Sequence, residues 1–223
     1  MKEIIDKITL LVKSKVPFPI FGDSLEAGLS EIDFKSPAED NVLMVVDSEG
    51  ARHIFQRFVG DDGEIQYDEK RGRLRIISDN LDSLIRVSQR VMTLLSKIEG
   101  SSEIEWFELN YNSRILYEIH PMVRPKKTED AGIHSLDEIT GLTTQPYRKT
   151  ICGFEGEPPT SPLNSIPTWL HMSIGPFVPN PRYFAVSFVY RRKELDEVIQ
   201  LAENIPQVVQ STLNEMRDEE HDS

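Results

Sequence analysis

Residues Asn80 to Leu95 and Glu194 to Val209 can be laid over one another without a gap, and this echo constrains the fold more than any motif in the chain. Leu81 and Leu195, Asp82 and Asp196, and Ile85 and Ile199 are identical pairs. Most other apolar positions also match, and in both segments they recur at helical spacing. A strand-like run precedes each segment, Arg73 to Ser78 in one case and Tyr183 to Tyr190 in the other. The expectation is two related halves, each a β-sheet closed by a helix. They would span residues 1–100 and residues 101–223, the second with an acidic tail, either separate or merged into one domain. Three identities in sixteen positions also arise between unrelated amphipathic helices that share a period. The echo therefore speaks to architecture and not to function.

The chain has 223 residues, 39% of them apolar and 28% charged, which suits an ordinary folded protein with a proper core. No apolar run approaches the roughly 18 residues of a membrane span. The start, Met-Lys-Glu-Ile-Ile-Asp-Lys-Ile, carries acids and no small-residue cleavage pattern, so a cytoplasmic location is expected. Cys152 is the only cysteine, which excludes an intrachain disulfide and a multi-thiolate metal site. It reads as a small buried hydrophobe, since no basic partner that would activate the thiol is identifiable. A formal net charge of −12 argues against broad phosphate-backbone binding, which needs clustered Lys and Arg. Part of the acidity sits in the tail Arg217–Ser223.

Along the first half, Ile4, Ile5, Ile8, Leu11 and Val12 share one helical face and predict a helix over 3–15, ended by Pro17 and Pro19. Alternation over Gly28–Lys35 predicts a short strand. The continuous run Val42–Val46 predicts a strand covered on both faces. Ala51–Val59 fits a strand or a helical turn, and Glu64–Ser78 a hairpin around Glu69–Gly72. Asp79 or Asn80 is a natural N-cap for the helix that runs to about Ile98.

In the second half, Ile104–Ile119 reads as a β-rich stretch bent or turned at Asn110–Ser113. A polar loop follows at Met122–Ile133, then a capping box at Ser135–Glu138. Gly153–Pro167, rich in proline, predicts a long irregular loop. Trp169–Ile174 alternates cleanly, with Trp169, His171 and Ser173 on one side. Phe184, Val186, Phe188 and Tyr190 form the core face of the next strand. The last helix, from Lys193 to about Met216, contains Pro206 and should bend there.

The expected fold class is α+β, mainly antiparallel sheet, with an additional helix at the N-terminus and one helix closing each half. Hairpin followed by helix, given twice, resembles duplicated saddle-shaped folds such as those of the TATA-binding proteins. The resemblance covers only the strand and helix of each half and includes no diagnostic residue. It implies an architecture and carries no function.

Candidate chemistry is sparse. The chain lacks a Gly-rich phosphate loop, a nucleophile elbow and a His-Glu-x-x-His helix. Asp61-Asp-Gly63 lacks the ligand ladder of a calcium loop and reads as a turn. Glu103 and Glu105 share a strand face beside Trp106, where solvated carboxylates suffice as an explanation without a glycosidase pair. His171 lies beside Trp169, and His120 closes a strand. If the halves fold together, the two histidines meet as an acid/base or metal pair. Aromatics gather in the second half among Arg114, Arg148, Arg182 and Arg191. They make either a core with its rim or a face for stacking a planar ligand.

The leading functional expectation is a non-catalytic binding or assembly protein for a protein partner or small ligand. Trp169 would anchor, Arg182 would pair with an anionic group, His171 would supply a switchable hydrogen bond, and Tyr183 would complete the surface. The first alternative is a hydrolase using His171 or His120 with a carboxylate or a single metal. The second is nucleic-acid binding through basic loops at Lys70-Arg71-Arg73, Arg124-Lys126-Lys127 and Arg191-Arg192-Lys193, which the net charge disfavours. No cofactor and no metal-ligand set is specified, no membrane contact is expected, and the oligomeric state is left open.

Overall fold

A computed structural model describes residues 2–15, 22–37, 42–46, 52–68, 71–98, 103–116, 144–146, 152–156, 168–177, 179–180 and 182–218. The fold is α+β with antiparallel sheet, as the sequence predicts. Contacts divide the chain into two compact units, one formed by Ile8–Glu108 and the other by Met1–Lys7 together with Leu109–Ser223. Two long strands, β1 (Lys2–Ser14) and β6 (Ile104–Leu116), contribute to both.

In the Ile8–Glu108 unit, α1 (Gly22–Glu31) follows β1. Next come β2 (Val42–Val46), β3 (Arg52–Gly60), β4 (Gly63–Asp68), β5 (Arg73–Ser78) and α2 (Leu81–Leu95). The strands lie in the order β2-β3-β4-β5-β1-β6. Ile8, Leu10 and Val12 of β1, Ile65 and Tyr67 of β4, and Leu74 and Ile76 of β5 are buried together with Leu84, Val87, Val91 and Leu95 of α2. A strand period of two meets a helix period near 3.6 in this core.

Three expectations for the first half do not hold. Residues 3–15 are a strand and not a helix. Ile8, Leu10, Val12 and Ser14 alternate inward at 2% exposure or less, and Ile8–Lys13 pairs antiparallel with Arg73–Ser78. The same apolar positions satisfy both periods, and β-branched side chains with a waiting partner strand decide the outcome. Residues 28–31 close helix α1 and are not a strand. Leu25, Gly28 and Leu29 are buried at i, i+3 and i+4, and a Cβ on Gly28 would collide with Leu94 of α2. Asp33, at φ 67°, ends that helix in a Schellman turn, with Phe34 N–H donating to the Leu29 carbonyl at 2.9 Å. Finally, β2 is not covered on both faces. Val42, Leu43 and Met44 are 53, 37 and 59% exposed.

In the other unit, β7 (Thr144–Pro146), β8 (Cys152–Gly156), β9 (Trp169–Pro176), β10 (Tyr183–Arg192) and α3 (Leu195–Asp218) follow β6. The strand order is β7-β8-β9-β10-β6-β1. β5 lies beside β1 and β10 beside β6, and a helix follows each of β5 and β10 in the chain. β6 runs without interruption through Asn110–Ser113, where a bend or turn is expected from the sequence. Tyr111 and Ser113 are buried at 0 and 2% exposure, and the period of two continues across the Asn residues. Gly153–Gly156 belongs to β8, because pairing with β9 at Gly153↔Ser173 through Gly156↔Leu170 outweighs the poor strand propensity of glycine. The rest of the proline-rich stretch, the 122–133 loop and the Ser135–Glu138 capping box lie outside the described residues.

Candidate functional site

The β9–β10 hairpin sorts its side chains by pleat. Leu170, Met172 and Ile174 lie opposite Tyr190, Phe188 and Val186, all 2% exposed or less. Val198, Leu201, Ala202, Ile205, Val208 and Val209 of α3 join this core. Tyr111 of β6 meets Phe188 edge-on, with ring centroids 6.5 Å apart. The opposite face carries Trp169, His171 and Ser173, paired with Arg191, Val189 and Ser187.

At one end of that face three polar aromatic or cationic groups meet. The rings of Trp169 and His171 lie 5.8 Å apart, tilted by 39°. The Arg191 guanidinium stands 5.9 Å from the Trp169 ring centre, a cation–π distance. Trp169 is 9% exposed and Arg191 4%, while His171 is partly open. The Trp169 Nε1 is buried and has no hydrogen-bond partner among the described residues. A buried indole N–H without an acceptor is unusual, since leaving a donor unsatisfied costs about 1–3 kcal/mol. Indole and guanidinium nitrogens only donate.

Arg182 and Tyr183 lie at the other end of the same hairpin. The chain turns there through Tyr183 N–H to Asn180 O at 3.0 Å and Phe177 N–H to Tyr183 O at 2.8 Å. Arg182 is exposed, and its backbone N–H donates to Asn180 Oδ1 at 3.2 Å. From Trp169, opposite Arg191, to Tyr183 is eight residues of strand, about 26 Å. The structure thus brings Trp169 and His171 together and holds Arg182 and Tyr183 apart from them. Near the turn, Arg114 Nε donates to the Asp6 carboxylate at 2.7 and 2.9 Å, and its guanidinium lies 5.2 Å from the Phe177 ring. The bond to Asp6 holds the Arg114 proton more firmly than usual.

The sequence named Arg191 among the arginines around the aromatics and in a basic loop, but not as the partner of Trp169. Alternation from Tyr183 sets its face with Ser187 and Val189, and the pairing with Trp169 comes from the β9–β10 register. Arg192 is also buried, 4.7 Å from the Tyr190 ring and 3.8 Å from Glu197. Burial raises the Tyr190 phenol above its ordinary pKa. Of that basic run only Lys193 is presented to solvent.

The Ile8–Glu108 unit holds a second polar assembly. Arg57 donates to Glu64 at 2.9 Å, Gln66 donates to the same carboxylate at 2.6 Å, and Arg75 stacks 4.6 Å from the Phe55 ring. Burial lowers the pKa of Arg75 and of Lys13. Arg57 and Glu64 form the ion pair of this assembly.

Among the described residues, no group of three His, Cys, Asp or Glu side chains is placed to hold a metal. His120 lies outside them. No described helix is long and apolar enough to cross a membrane. The sequence matches no known family model and no curated protein.

Proposed function

We propose that this chain is a non-catalytic cytoplasmic binding or assembly protein, and that it holds a protein partner or small ligand on the face of the β9–β10 hairpin. One observation carries the reading: the buried Trp169 indole N–H has no acceptor among the described residues, and its ring lies against His171 and Arg191. A ligand carbonyl or carboxylate would satisfy it, with Arg191 adding charge and His171 adding a hydrogen bond. Arg182 and Tyr183 would take part only if the bound body extends along the hairpin.

Native mass spectrometry of the protein purified from its own host tests this. A co-purifying polypeptide or small molecule is expected, lost on Trp169→Phe, which keeps a ring and removes the N–H. A small ligand should survive Arg182→Ala with Tyr183→Ala; a protein spanning about 26 Å of strand should not. Full retention after alanine replacement of Trp169, His171, Arg182 and Tyr183 together would refute the assignment.

A further inference from the structure

Among the described residues the exposed large apolar side chains are Val42, Leu43, Met44 and Val59, and three of them are consecutive in β2. β2 ends the strand order of its unit, pairing with β3 from Val42↔Gln56 to Val46↔Arg52. Proteins usually blunt such an edge with lysine, proline or a bulge. Val42–Val46 contains no charge and no proline, and three of its five residues are β-branched. Such an edge is a template for an added strand.

The flanks say what kind of strand. Residues 36–51 contain four acids, Glu39, Asp40, Asp47 and Glu49, and no lysine or arginine. A second copy of this chain added at the edge would bring the same four acids, and no balancing lysine or arginine, next to its own stretch 36–51. Like charges facing each other across strands are destabilising, so the acids act as gatekeepers against self-association. A nucleic acid is repelled by the same four charges. We propose that β2 accepts, by strand addition, an extended apolar segment of another protein flanked on both sides by lysine or arginine. This surface shares no residue with the Trp169 corner and does not depend on its assignment.

The test uses the full chain and a fluorescent peptide, Lys-Lys-Val-Thr-Ile-Val-Lys-Lys, read by anisotropy. Two further versions carry backbone N-methyl groups on alternate residues, one for each set of outward N–H groups. Strand addition uses only one set, so one methylated peptide should lose about tenfold or more in affinity while the other binds like the parent. A Glu-flanked analogue should bind about tenfold more weakly or not at all. Met44→Glu, at a surface position that leaves the fold intact, should weaken binding although it adds attraction for the lysines. Equal binding by both methylated peptides, stronger binding by Met44→Glu, or no binding by any probe would overturn the proposal. Dimerisation of the unmodified chain that Met44→Glu abolishes would also overturn it, by making a second copy the occupant.

Discussion

The Glu3 carboxylate receives two hydroxyls of β6, from Tyr111 and from Ser113, the latter at 2.7 Å. Tyr111 is fully buried and Glu3 is half-buried, so the two ends of this bond are not equivalent. Burial, aided by the bond to Glu3, raises the Tyr111 phenol above its ordinary pKa, and the hydroxyl stays protonated as a donor. Removing the donor by Tyr111→Phe leaves Glu3 with Ser113 and solvent and should cost about 0.5–1.5 kcal/mol. Removing the acceptor by Glu3→Ala takes the shared carboxylate from two buried hydroxyls, which keep only each other, and should cost about 1–3 kcal/mol. Equilibrium urea unfolding of both variants checks the order. A Tyr111→Phe loss equal to or larger than that of Glu3→Ala would contradict it. None of this was visible in the sequence, because residues 3–15 look helical until β6 supplies partners more than a hundred positions away. By contrast, the alternation at Trp169, His171 and Ser173 was legible, since local pleat alone sets which side chains share a face.

At the scale of elements, α2 was the most readable part, because its signals are local. Asn80 caps it as expected, its Oδ1 accepting from Ser83 N–H at 2.7 Å. The tie from the β3–β4 turn was not readable. Asp62 accepts from Arg86 at 2.7 Å and from the Ser83 hydroxyl at 3.2 Å, and Ser78 donates to its carbonyl. Gly63, at φ 143°, lets the turn lie against the Ile77 carbonyl, where any Cβ would collide. The Arg86 hydrogen bond lowers the Asp62 pKa below its ordinary value. The folded carboxyl therefore binds its proton less readily than the unfolded one. The stabilisation is complete above an unfolded pKa of about 3.9 and is lost as pH falls through the folded value. Asp62→Asn should lower the melting temperature at pH 7, and the deficit should shrink steadily below about pH 4. A deficit that stays constant down to pH 2 would show that this ion pair is not its source. The misreading of β2 has a different cause: a continuous apolar run looks the same whether it is sandwiched or stranded at an edge.

For the molecule as a whole, the echoed segments are α2 and the first part of α3, each following an antiparallel strand, β5 or β10, an arrangement that any two amphipathic helices closing sheets share and that shows no duplication. What no local pattern revealed is the division of β1. Its residues Ile8–Lys13 pair with β5, whereas Glu3 and Asp6 serve the unit that contains Leu109–Ser223. Those two acids accept from Tyr111, Ser113 and Arg114. Deleting residues 2–7 removes three partnered carboxylate contacts from β6 and none from the pairing of β1 with β5. Native-state hydrogen exchange should then show lost protection over 109–116, where β6 loses its neighbouring strand and its hydroxyls and guanidinium lose their acceptors. Protection in β4, β5 and α2 should persist, because Ile8, Leu10 and Val12 still close that core. Protection that falls equally in both units would mean that the first residues hold the entire fold and not one unit. Protection kept in 109–116 would mean that the Glu3 and Asp6 contacts contribute little, and the larger cost assigned to Glu3→Ala would fail with it.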